Sequence, residues 1–349
     1  MQPTKSYAAY NDRDDLKPYQ FNRREVGPKD VQIDILFCGV CHSDIHVVRN
    51  DWGFSSYPLV PGHEIVGRVR ALGCDVTSLS IGELVGVGCM VDSCRECSAC
   101  KEDLEQHCEK GMLMTYGSPD PHEADRITQG GYSTRIVVDR DFVVKVPESL
   151  DVKAVAPLLC AGITTYSPLR QWKVKPGDRV GVIGLGGLGH MGVKLAVAMG
   201  ADVIMITSSA EKGEDARRLG ASDVLVSTDE DAMARHANSF DLLLDTIPVA
   251  HRMDPYVRLL KFGKAMVVVG ITPAEINTGV LSFGRRIITG SLIGGIRETQ
   301  EMLDFCAEHN VVSDVELIAM QDINTAYERM MRADVKYRFV IDMQSLKED

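Results

Sequence analysis

A glycine-rich turn in the middle of the chain constrains the fold more than any other feature. It runs from Gly184 to Gly189 with the pattern G-x-G-x-x-G, follows the apolar segment Arg179–Ile183 and opens the helix-like segment Gly189–Met199. A strand, this turn and a helix, in that order, predict a βαβ unit whose helix N-terminus binds the diphosphate of a dinucleotide. A plain turn without a ligand is the alternative, and the βαβ context favours the dinucleotide.

Apolar segments alternate with helical periodicity after this turn. Further strands are predicted at Val203–Thr207, Val224–Val226, Leu242–Asp245, Ala265–Gly270 and Ile287–Ile293, with helices between them. Such alternation predicts an α/β domain with a doubly wound parallel sheet of the Rossmann type. Residues 1–155 contain short β-branched segments and little helical periodicity, which predicts a mostly β domain. We assign the dinucleotide-binding domain to residues 156–294 and expect residues 295–349 to return to the first domain.

The composition excludes several other classes of protein. Of the 349 residues, 45% are hydrophobic and 25% are charged, which is typical of a globular chain and not of a disordered, collagen-like or coiled-coil one. The formal net charge of −11 argues against binding to nucleic acid or to an anionic membrane. No apolar run is long enough to span a bilayer, and Met1–Tyr10 lacks the layout of a signal peptide. We therefore expect a soluble, cytoplasmic protein that binds neither nucleic acid nor a membrane.

Four cysteines lie close together in the first domain. Cys94, Cys97, Cys100 and Cys108 have the spacing C-x2-C-x2-C-x7-C, which suits one tetrahedral zinc ion. Four protein ligands leave no open position, so this zinc is predicted to be structural and to hold the loop at about residues 89–112. An iron–sulfur cluster is the competing interpretation, disfavoured because no proline follows the last cysteine. Disulfides are disfavoured by a reducing cytoplasm.

The end of the second strand of the α/β domain indicates which dinucleotide binds. An NAD site usually has an acidic residue there, but this strand ends at Thr207 and is followed by Ser208 and Ser209, with Lys212 one turn later. Hydroxyl groups and a cation suit the 2′-phosphate of NADP(H), which a carboxylate would repel. Two alternatives stay open: the serines cap a helix beside a solvated lysine, or Glu211 binds a 2′-hydroxyl.

A second, catalytic zinc would need about three protein ligands and one open position, and its ligands need not be adjacent in sequence. Cys41, His63 and Cys160 are the candidates. Taken singly, each is weak, because a lone cysteine is usually a small buried hydrophobe and a lone histidine usually has an ordinary structural role.

Several motifs together resemble one family. Gly62–Gly67 (GHEIVG) resembles the signature of the zinc-containing medium-chain alcohol dehydrogenases, and the four-cysteine lobe and the glycine-rich turn lie where that family has them. Pro157–Leu169 (PLLCAGITTYSPL), Gly290–Gly295 (GSLIGG) and Glu301–His309 (EMLDFCAEH) resemble its cinnamyl-alcohol-dehydrogenase-like branch, which includes bacterial NADPH-dependent aldehyde reductases. The resemblance covers essentially the whole chain and implies that the first domain is GroES-like.

The resemblance also implies roles for the residues around His63. Cys41, His63 and Cys160 resemble the ligands of the catalytic zinc ion. Glu64 follows His63 as in the family, where it would either support the ligands without binding the ion or bind the ion transiently as water and substrate exchange. Asp44 would accept a hydrogen bond from the His63 ring and so fix its tautomer.

A proton relay and a coenzyme site are implied in the same way. Ser43 resembles the hydroxyl that exchanges a proton with the substrate oxygen, and His46 resembles the far end of that relay. The residues predicted to bind the coenzyme, from the motif or from the resemblance, are Gly184, Gly186, Gly187, Leu188, Gly189, Thr207, Ser208, Ser209, Lys212, Thr164, Ser291 and Ile293.

Apolar residues are predicted by resemblance to line the substrate pocket; they are Trp52, Phe54, Cys89, Met114 and Leu292. They suit medium-sized aliphatic or aromatic aldehydes, and the alternative is that they simply fill the core. The plant members of the branch tend to have Trp where this chain has Met114, so we expect broad aldehyde reduction and not a specific role in cinnamyl alcohol metabolism.

These observations predict a zinc-dependent oxidoreductase that transfers a hydride between NADPH and aldehydes, with two zinc ions per chain. The family suggests a homodimer formed through edge strands of the coenzyme-binding sheets. Within enzymes, the alternative is an NAD-dependent zinc polyol or secondary-alcohol dehydrogenase, whereas a zinc-free quinone reductase would lack the ligand set present here. A different class, a zinc-ribbon interaction module joined to a nucleotide-sensing domain, would use only the four-cysteine lobe.

Overall fold

The chain divides into two structural units, one formed by Met1–Cys160 with Gly294–Asp349 and the other by Ala161–Ile293. They are described in a computed structural model that covers residues 2–123 and 126–347. Within these ranges, each helix is too short or too polar to cross a membrane.

The secondary-structure elements are numbered in chain order. The strands are β1 (Gln2–Ala8), β2 (Lys17–Arg23), β3 (Asp30–Gly39), β4 (Ile65–Leu72), β5 (Leu84–Val87), β6 (Met90–Asp92), β7 (Leu113–Met114), β8 (Arg135–Asp139), β9 (Val144–Lys145), β10 (Arg179–Ile183), β11 (Asp202–Thr207), β12 (Asp223–Val226), β13 (Phe240–Asp245), β14 (His251–Arg252), β15 (Leu260–Val268), β16 (Ala274–Glu275), β17 (Ile287–Gly290), β18 (Val315–Ala319) and β19 (Arg338–Asp342). The helices are α1 (His42–Val48), α2 (Ser98–Lys101), α3 (Val152–Val155), α4 (Ala161–Gln171), α5 (Gly187–Ala198), α6 (Gly213–Arg218), α7 (Glu230–Arg235), α8 (Asp254–Val257), α9 (Gly279–Ser282), α10 (Ile296–His309), α11 (Ile323–Met331) and α12 (Gln344–Lys347). Short 3₁₀ segments occupy Glu105–His107, Arg140–Phe142, Ala156–Leu159, Ala210–Lys212 and Met320–Asp322.

The first unit is built on a largely antiparallel sheet with the order β18-β19-β3-β4-β5-β9, in which β8 also pairs with β3. Strand β3 lies inside this sheet, and its apolar residues Ile33 and Ile35 are fully buried. The end of β3 pairs with the start of β4, where Cys38 lies opposite Ile65. This pairing places the segment that follows β3 beside the segment that precedes β4, and both segments carry predicted metal ligands.

The second unit contains a parallel sheet with the order β12-β11-β10-β13-β15-β17. Its core is formed by branched and aromatic residues such as Ile206, Phe240 and Leu243, all of which are buried. Strand β10 is central, and the glycine-rich turn and α5 follow it directly. The sheet confirms the predicted fold class, because helices connect strands that run in the same direction.

Several element boundaries differ from the sequence prediction. Helix α4 was not predicted, and its first nine residues are all buried. A helix buried on every side shows no amphipathic period, so periodicity does not reveal it. The last predicted strand ends early, at Gly290, and Ile293, the last residue predicted for it, has a φ of +37°, outside the β region. The hairpin of β1 and β2 was not predicted.

Candidate active site

Three separate segments of the first unit bring four metal-binding side chains together. Cys41 immediately precedes α1, His63 and Glu64 immediately precede β4, and Cys160 follows a 3₁₀ segment. The four side chains are buried and each offers a ligand atom, and these atoms all lie within 4.8 Å of one another. The structure therefore brings together the three scattered ligand candidates and Glu64.

The donor set of this cluster fits zinc. Two sulfur atoms, one imidazole nitrogen and one carboxylate oxygen are ligands that zinc accepts. The sulfur atoms of Cys41 and Cys160 are 3.9 Å apart, too far for a disulfide and close enough to share one ion. Among the described residues, Oε2 of Glu64 is buried without a hydrogen-bond partner, which is expected of an oxygen available to a cation.

Electrostatics around the two thiols favours a thiolate at Cys41. The hydrogen bond from the Cys160 thiol holds the pKa of Cys41 well below its usual range, and the positive charge of Arg338 acts in the same direction. The same hydrogen bond raises the pKa of Cys160, which retains the proton while no metal is bound. Because only a thiolate binds zinc, one of the two sulfurs is ready for a metal before the metal arrives.

The ring of His63 is oriented by a buried carboxylate. Nδ1 of His63 lies 3.1 Å from Oδ1 of Asp44, which leaves Nε2 as the nitrogen free for a metal. Asp44 also accepts hydrogen bonds from the backbone N–H of Cys41 and of Gly62, at 2.9 Å and 3.1 Å. The hydroxyl of Tyr132 donates to Oδ2 of Asp44 at 3.3 Å. Tyr132 was not predicted from the sequence, because no motif links a residue so distant in sequence to Asp44.

Glu64 is paired with an arginine from the end of the chain. Nη2 of Arg338 donates to Oε1 of Glu64, and both side chains are buried. Burial raises the pKa of Glu64 to about 7, although the charge of Arg338 opposes that rise. Arg338 was also missed by sequence reasoning, since it reaches the cluster only because β19 pairs with β3.

The two predicted relay residues lie on α1. The Cys41 thiol contacts Oγ of Ser43 at 3.6 Å, so the Ser43 hydroxyl lies beside the cluster. Nδ1 of His46 is 2.8 Å from Oδ2 of Asp51. The rings of His46 and Trp52 have centroids 5.4 Å apart.

The predicted pocket residues lie in four separate places. Trp52 and Phe54 stack with ring centroids 5.9 Å apart, and both are partly exposed. Cys89 lies near Cys160, because its thiol donates to the carbonyl oxygen of Leu159, the residue before Cys160, at 3.8 Å. Met114 lies on β7 opposite Met90, and Leu292 is in the second unit.

The four-cysteine lobe forms a second cluster in the same unit. The sulfurs of Cys94, Cys97, Cys100 and Cys108 all lie within 4.8 Å of one another. All ten cysteines are free thiols, so no disulfide competes for these sulfurs. Four sulfurs at this separation fit a tetrahedral zinc ion with no open position. His107 is adjacent in sequence but does not belong to the cluster.

Backbone N–H groups point at the sulfurs of the lobe. The N–H of Cys94 donates to Sγ of Cys108 at 3.4 Å, and the N–H of Glu109 donates to Sγ of Cys97 at 3.5 Å. Backbone hydrogen bonds from Cys100 and Glu109 lower the pKa of Cys97 to about 6. These hydrogen bonds favour the thiolate of Cys97, which is the form that binds zinc. At Cys100, burial acts in the opposite direction and raises the pKa to about 11.

The glycine-rich turn of the second unit has the backbone that a diphosphate site requires. Gly184 has a φ of +90°, a conformation that glycine adopts readily. A Cβ on Gly189 would lie 1.9 Å from the carbonyl oxygen of Gly184, so only glycine permits this approach of helix to strand. A Cβ on Gly186 would meet nothing within 4 Å, which leaves open space in front of the N-terminus of α5. Gly187 and Leu188 form the first turn of that helix.

The end of β11 presents hydroxyl groups and a lysine. Thr207 is the last residue of the strand, and Ser208 and Ser209 follow it. Ser209 precedes the 3₁₀ segment Ala210–Lys212, but its side chain makes no capping hydrogen bond. Nζ of Lys212 lies 3.5 Å from the carbonyl oxygen of Leu185, so the ammonium group is beside the glycine-rich turn. The other predicted coenzyme residues of this unit are Thr164 on α4 and Ser291 and Ile293 after β17.

Comparisons with known proteins agree with this arrangement. Residues 27–148 match the alcohol dehydrogenase GroES-like domain, and residues 187–308 match the zinc-binding dehydrogenase family. The chain is 53% identical to aldehyde reductase YahK of Escherichia coli (strain K12), with 98% of this chain and 99% of that protein aligned. It is 52% identical to NADP-dependent alcohol dehydrogenase C 1 of Mycolicibacterium smegmatis, with 99% of this chain and 100% of that protein aligned.

Solved structures show the same fold. A cinnamyl alcohol dehydrogenase of Sorghum bicolor superposes with a TM-score of 0.95 at 45% identity, covering 98% of both chains. The CAD of Helicobacter pylori, solved in complex with NADP(H), superposes with a TM-score of 0.92 at 41% identity, covering 98% of this chain and 99% of that one. The chain therefore belongs to the zinc-containing medium-chain alcohol dehydrogenases, in their cinnamyl-alcohol-dehydrogenase-like branch.

Proposed function

We propose that this chain catalyses the reversible NADPH-linked reduction of aldehydes to primary alcohols, with broad specificity. Its cofactors are a catalytic zinc ion at Cys41, His63 and Cys160, a structural zinc ion in the four-cysteine lobe, and NADP(H). The observation that carries the proposal is the convergence of two thiols, one imidazole and one carboxylate from segments far apart in sequence. Three ligands beside a fourth donor, Glu64, suit a catalytic zinc ion, which needs one open position.

The residues around the cluster fix the protonation and the orientation of the metal-binding side chains. When bound, zinc supplies a Lewis acid for the carbonyl oxygen, and NADPH supplies the hydride. Asp44 keeps Nδ1 of His63 protonated, so that Nε2 is always presented to the metal. Arg338 holds Glu64 by one oxygen, and the other oxygen, which has no hydrogen-bond partner, would be available as a further donor to the metal.

Proton movement is assigned to α1. The Ser43 hydroxyl, beside Cys41, would donate a proton to the oxygen of the reduced substrate and accept it in the reverse direction. His46 would hold the relayed proton at the solvent side, because its ring is partly exposed and its Nδ1 is hydrogen-bonded to Asp51. In reduction, the proton thus moves inward from His46 to Ser43.

An assay over a panel of substrates tests the proposed reaction. NADPH oxidation is measured with aliphatic and aromatic aldehydes, a ketone and a sugar, before and after treatment with a strong zinc chelator. We expect aldehydes of both kinds to be reduced and the chelator to abolish turnover. Reduction of the ketone or the sugar in preference to all aldehydes would support the secondary-alcohol or polyol dehydrogenase instead. Unchanged activity after complete metal removal would contradict a zinc enzyme.

The preference for NADPH is assigned to Ser208, Ser209 and Lys212. Lys212→Ala should raise the Michaelis constant for NADPH by about tenfold, because the variant loses one hydrogen bond to a charged group. The Michaelis constant for NADH should be unchanged. Lys175→Ala, which removes an exposed lysine elsewhere in the same unit, is the matched control. Equal effects of Lys212→Ala on the two coenzymes would contradict binding of the 2′-phosphate.

The second metal cluster argues against the zinc-ribbon module. Such a module needs the four-cysteine lobe but has no use for the buried donors at Cys41, His63, Glu64 and Cys160. Metal analysis separates the two functions, since the enzyme should contain about two zinc ions per chain and the module one.

We also propose that the chain is cytoplasmic and forms a homodimer through β17, which lies at one end of the parallel sheet. Large apolar side chains near this strand are exposed: Phe283 at 94%, Phe262 at 67% and Ile287 at 42%. Pairing of two copies along this edge would cover these side chains and provide hydrogen-bond partners for the outer edge of β17. Light scattering after size-exclusion chromatography should give the mass of a dimer, and Ile287→Lys that of a monomer. A monomeric parent protein would contradict this assembly.

A further inference from the structure

The volume in front of one glycine of β3 is occupied by the carboxylate of Glu64. Gly39 is the last residue of β3, and a Cβ added to it would lie 2.9 Å from Cδ of Glu64 and closer still to Oε2. Side-chain carbons do not approach other heavy atoms so closely. Only a residue without a Cβ is therefore compatible with the position that Glu64 has in this structure.

The need for glycine at this position comes from space and not from backbone conformation. Gly39 lies in a strand and its φ is not positive, so any residue could adopt its backbone conformation. It differs in this from Gly184, whose φ of +90° itself favours glycine. The three heavy atoms nearest to an added methyl group would all belong to Glu64. An alanine at position 39 would thus fit the strand and conflict with that side chain.

Hydrogen bonds hold the backbone on both sides of this contact. The N–H of Gly39 donates to the carbonyl oxygen of Glu64 at 2.9 Å, and Gly39 pairs with Val340 of β19. The N–H of Val40 donates to the carbonyl oxygen of Phe339, also at 2.9 Å. Because both main chains are fixed, we expect an added methyl group to displace the end of the Glu64 side chain and not the strands.

The two oxygens of that carboxylate have different surroundings. Oε1 accepts a hydrogen bond from Nη2 of Arg338. Oε2, the oxygen nearest to Gly39, has no hydrogen-bond partner among the residues that the structure describes. A buried polar atom without a partner costs free energy, and a cation would relieve that cost. The volume in front of Gly39 therefore holds an oxygen that a metal ion in the buried cluster would attract.

We propose that Gly39 is a positioning residue that keeps the Glu64 carboxylate out of the fourth coordination position, so that this position stays open for substrate. The inference rests on the proposed function, because it takes a catalytic zinc ion in the buried cluster. A side chain at position 39 would push Oε2 out of its present volume and onto the metal. The double positive charge of the ion attracts a carboxylate more strongly than Arg338, which is already paired with it.

Gly39→Ala tests the proposal in the zinc-loaded protein, with imidazole as the probe of the open position. Imidazole nitrogen is an accepted zinc ligand, and its dissociation constant is measured by isothermal titration calorimetry without coenzyme or substrate. Gly39→Ala should raise this constant by about tenfold, because a carboxylate that occupies the position in about nine-tenths of the molecules leaves about one-tenth competent to bind. Zinc content and melting temperature are measured for every variant.

Glu64→Gln provides the matched control, because it separates the steric conflict from coordination. The amide has the size of the carboxylate and would meet the same methyl group, but it is not among the groups that zinc usually binds. In protein that carries Glu64→Gln, Gly39→Ala should therefore leave the dissociation constant of imidazole unchanged. The two substitutions should show a coupling of about tenfold in a double-mutant cycle.

Three results would overturn the inference. An unchanged dissociation constant in Gly39→Ala would show that the carboxylate does not enter the position, and tighter binding of imidazole would show that it moves onto Arg338 instead. An equal rise with and without Glu64→Gln would show that the methyl group damages the site in another way. Loss of the catalytic zinc ion from Gly39→Ala would contradict it as well, since a further ligand should hold the metal more tightly.

A second variant covers the case in which Gly39→Ala does not fold. Gly39→Ala combined with Glu64→Asp should fold and bind imidazole as the parent does, since the shorter side chain leaves room for the methyl group. Failure of this double variant in either respect would overturn the inference. If the parent protein contains about two zinc ions per chain and binds no imidazole, the fourth position is closed and the proposed function itself fails. That outcome differs from a parent that binds imidazole and a Gly39→Ala variant that binds it equally well.

Discussion

The two metal clusters of the first unit contain similar atoms in different surroundings. The lobe takes four thiols from the single segment Cys94–Cys108, and two of them are only partly buried. The other cluster takes two thiols, an imidazole and a carboxylate from three segments, and all four side chains are buried. Backbone N–H groups stabilise the sulfurs of the lobe, whereas side chains from elsewhere, Asp44 and Arg338, orient the other set.

This difference indicates what each cluster is suited to do. A loop that folds around four identical ligands binds an ion completely and gains stability from it. The other set is buried and mixed, and one oxygen of its carboxylate has no hydrogen-bond partner, so three ligands could hold an ion while a fourth position stays open. We infer that zinc in the lobe maintains structure and that zinc at His63 performs chemistry.

The largest expected effect comes from changing a ligand of the buried cluster. His63→Gln should lower kcat by more than about 100-fold, beyond the 10- to 100-fold typical of disturbing an outer partner of a metal ligand. Metal content should fall from about two zinc ions per chain to one, while the circular dichroism spectrum is retained. His107→Ala, which changes a histidine beside the lobe, is the matched control and should have neither effect. Full activity of His63→Gln would remove the distinction between the clusters.

A change in the lobe should act on stability and not on chemistry. Cys100→Ser should lower the free energy of unfolding by about 3 kcal/mol, or roughly 6–12 °C in Tm for a unit of this size. The activity per catalytic zinc ion should be nearly unchanged. Cys74→Ser, at an exposed cysteine outside both clusters, controls for loss of a thiol. An unchanged Tm combined with a large loss of kcat would reverse the assigned roles.

The smallest expected effect concerns the metal-free protein and Glu64. Burial raises the pKa of this carboxyl from 4.5 to about 7, so its ionisation opposes folding. The protonated Glu64 carboxyl contributes its full stabilisation below about pH 4.5, and this stabilisation is lost as pH rises through about 7. Urea unfolding of zinc-free protein should therefore show stability decreasing from pH 5 to 8, and Glu64→Gln should reduce that slope.

The control for this slope is Glu148→Gln, at an exposed glutamate that pairs with Arg68. It should leave the pH dependence as in the parent protein, because exposed pairs contribute little to stability. Identical slopes for the parent and Glu64→Gln would show that Glu64 is not the group responsible.

The sequence predicted the fold class and the family because both depend on local patterns. The glycine-rich turn and the strands that follow it are recognisable within short windows, and their parallel sheet is confirmed. The cysteine spacing at residues 94–108 is equally local, and its four sulfurs do lie together. The zinc and coenzyme roles of individual residues stay predictions until the experiments above are done.

Other parts of the site depend on contacts that no local pattern contains. Arg338 reaches Glu64 only because β19 pairs with β3, and Tyr132 reaches Asp44 from a separate loop. These contacts are side-chain hydrogen bonds, which leave no periodicity in the sequence.

The sequence by itself determined which chemical groups this protein has and which segments fold locally around a glycine turn or four cysteines. Only the tertiary structure decided that Cys41, His63 and Cys160 share one buried space and that a carboxylate with one unpartnered oxygen lies among them. The physical reason is that short-range conformational preferences act between neighbours along the chain, whereas a buried site is assembled by strand pairing between distant segments. Burial in that assembled site then sets the charges on which its chemistry depends.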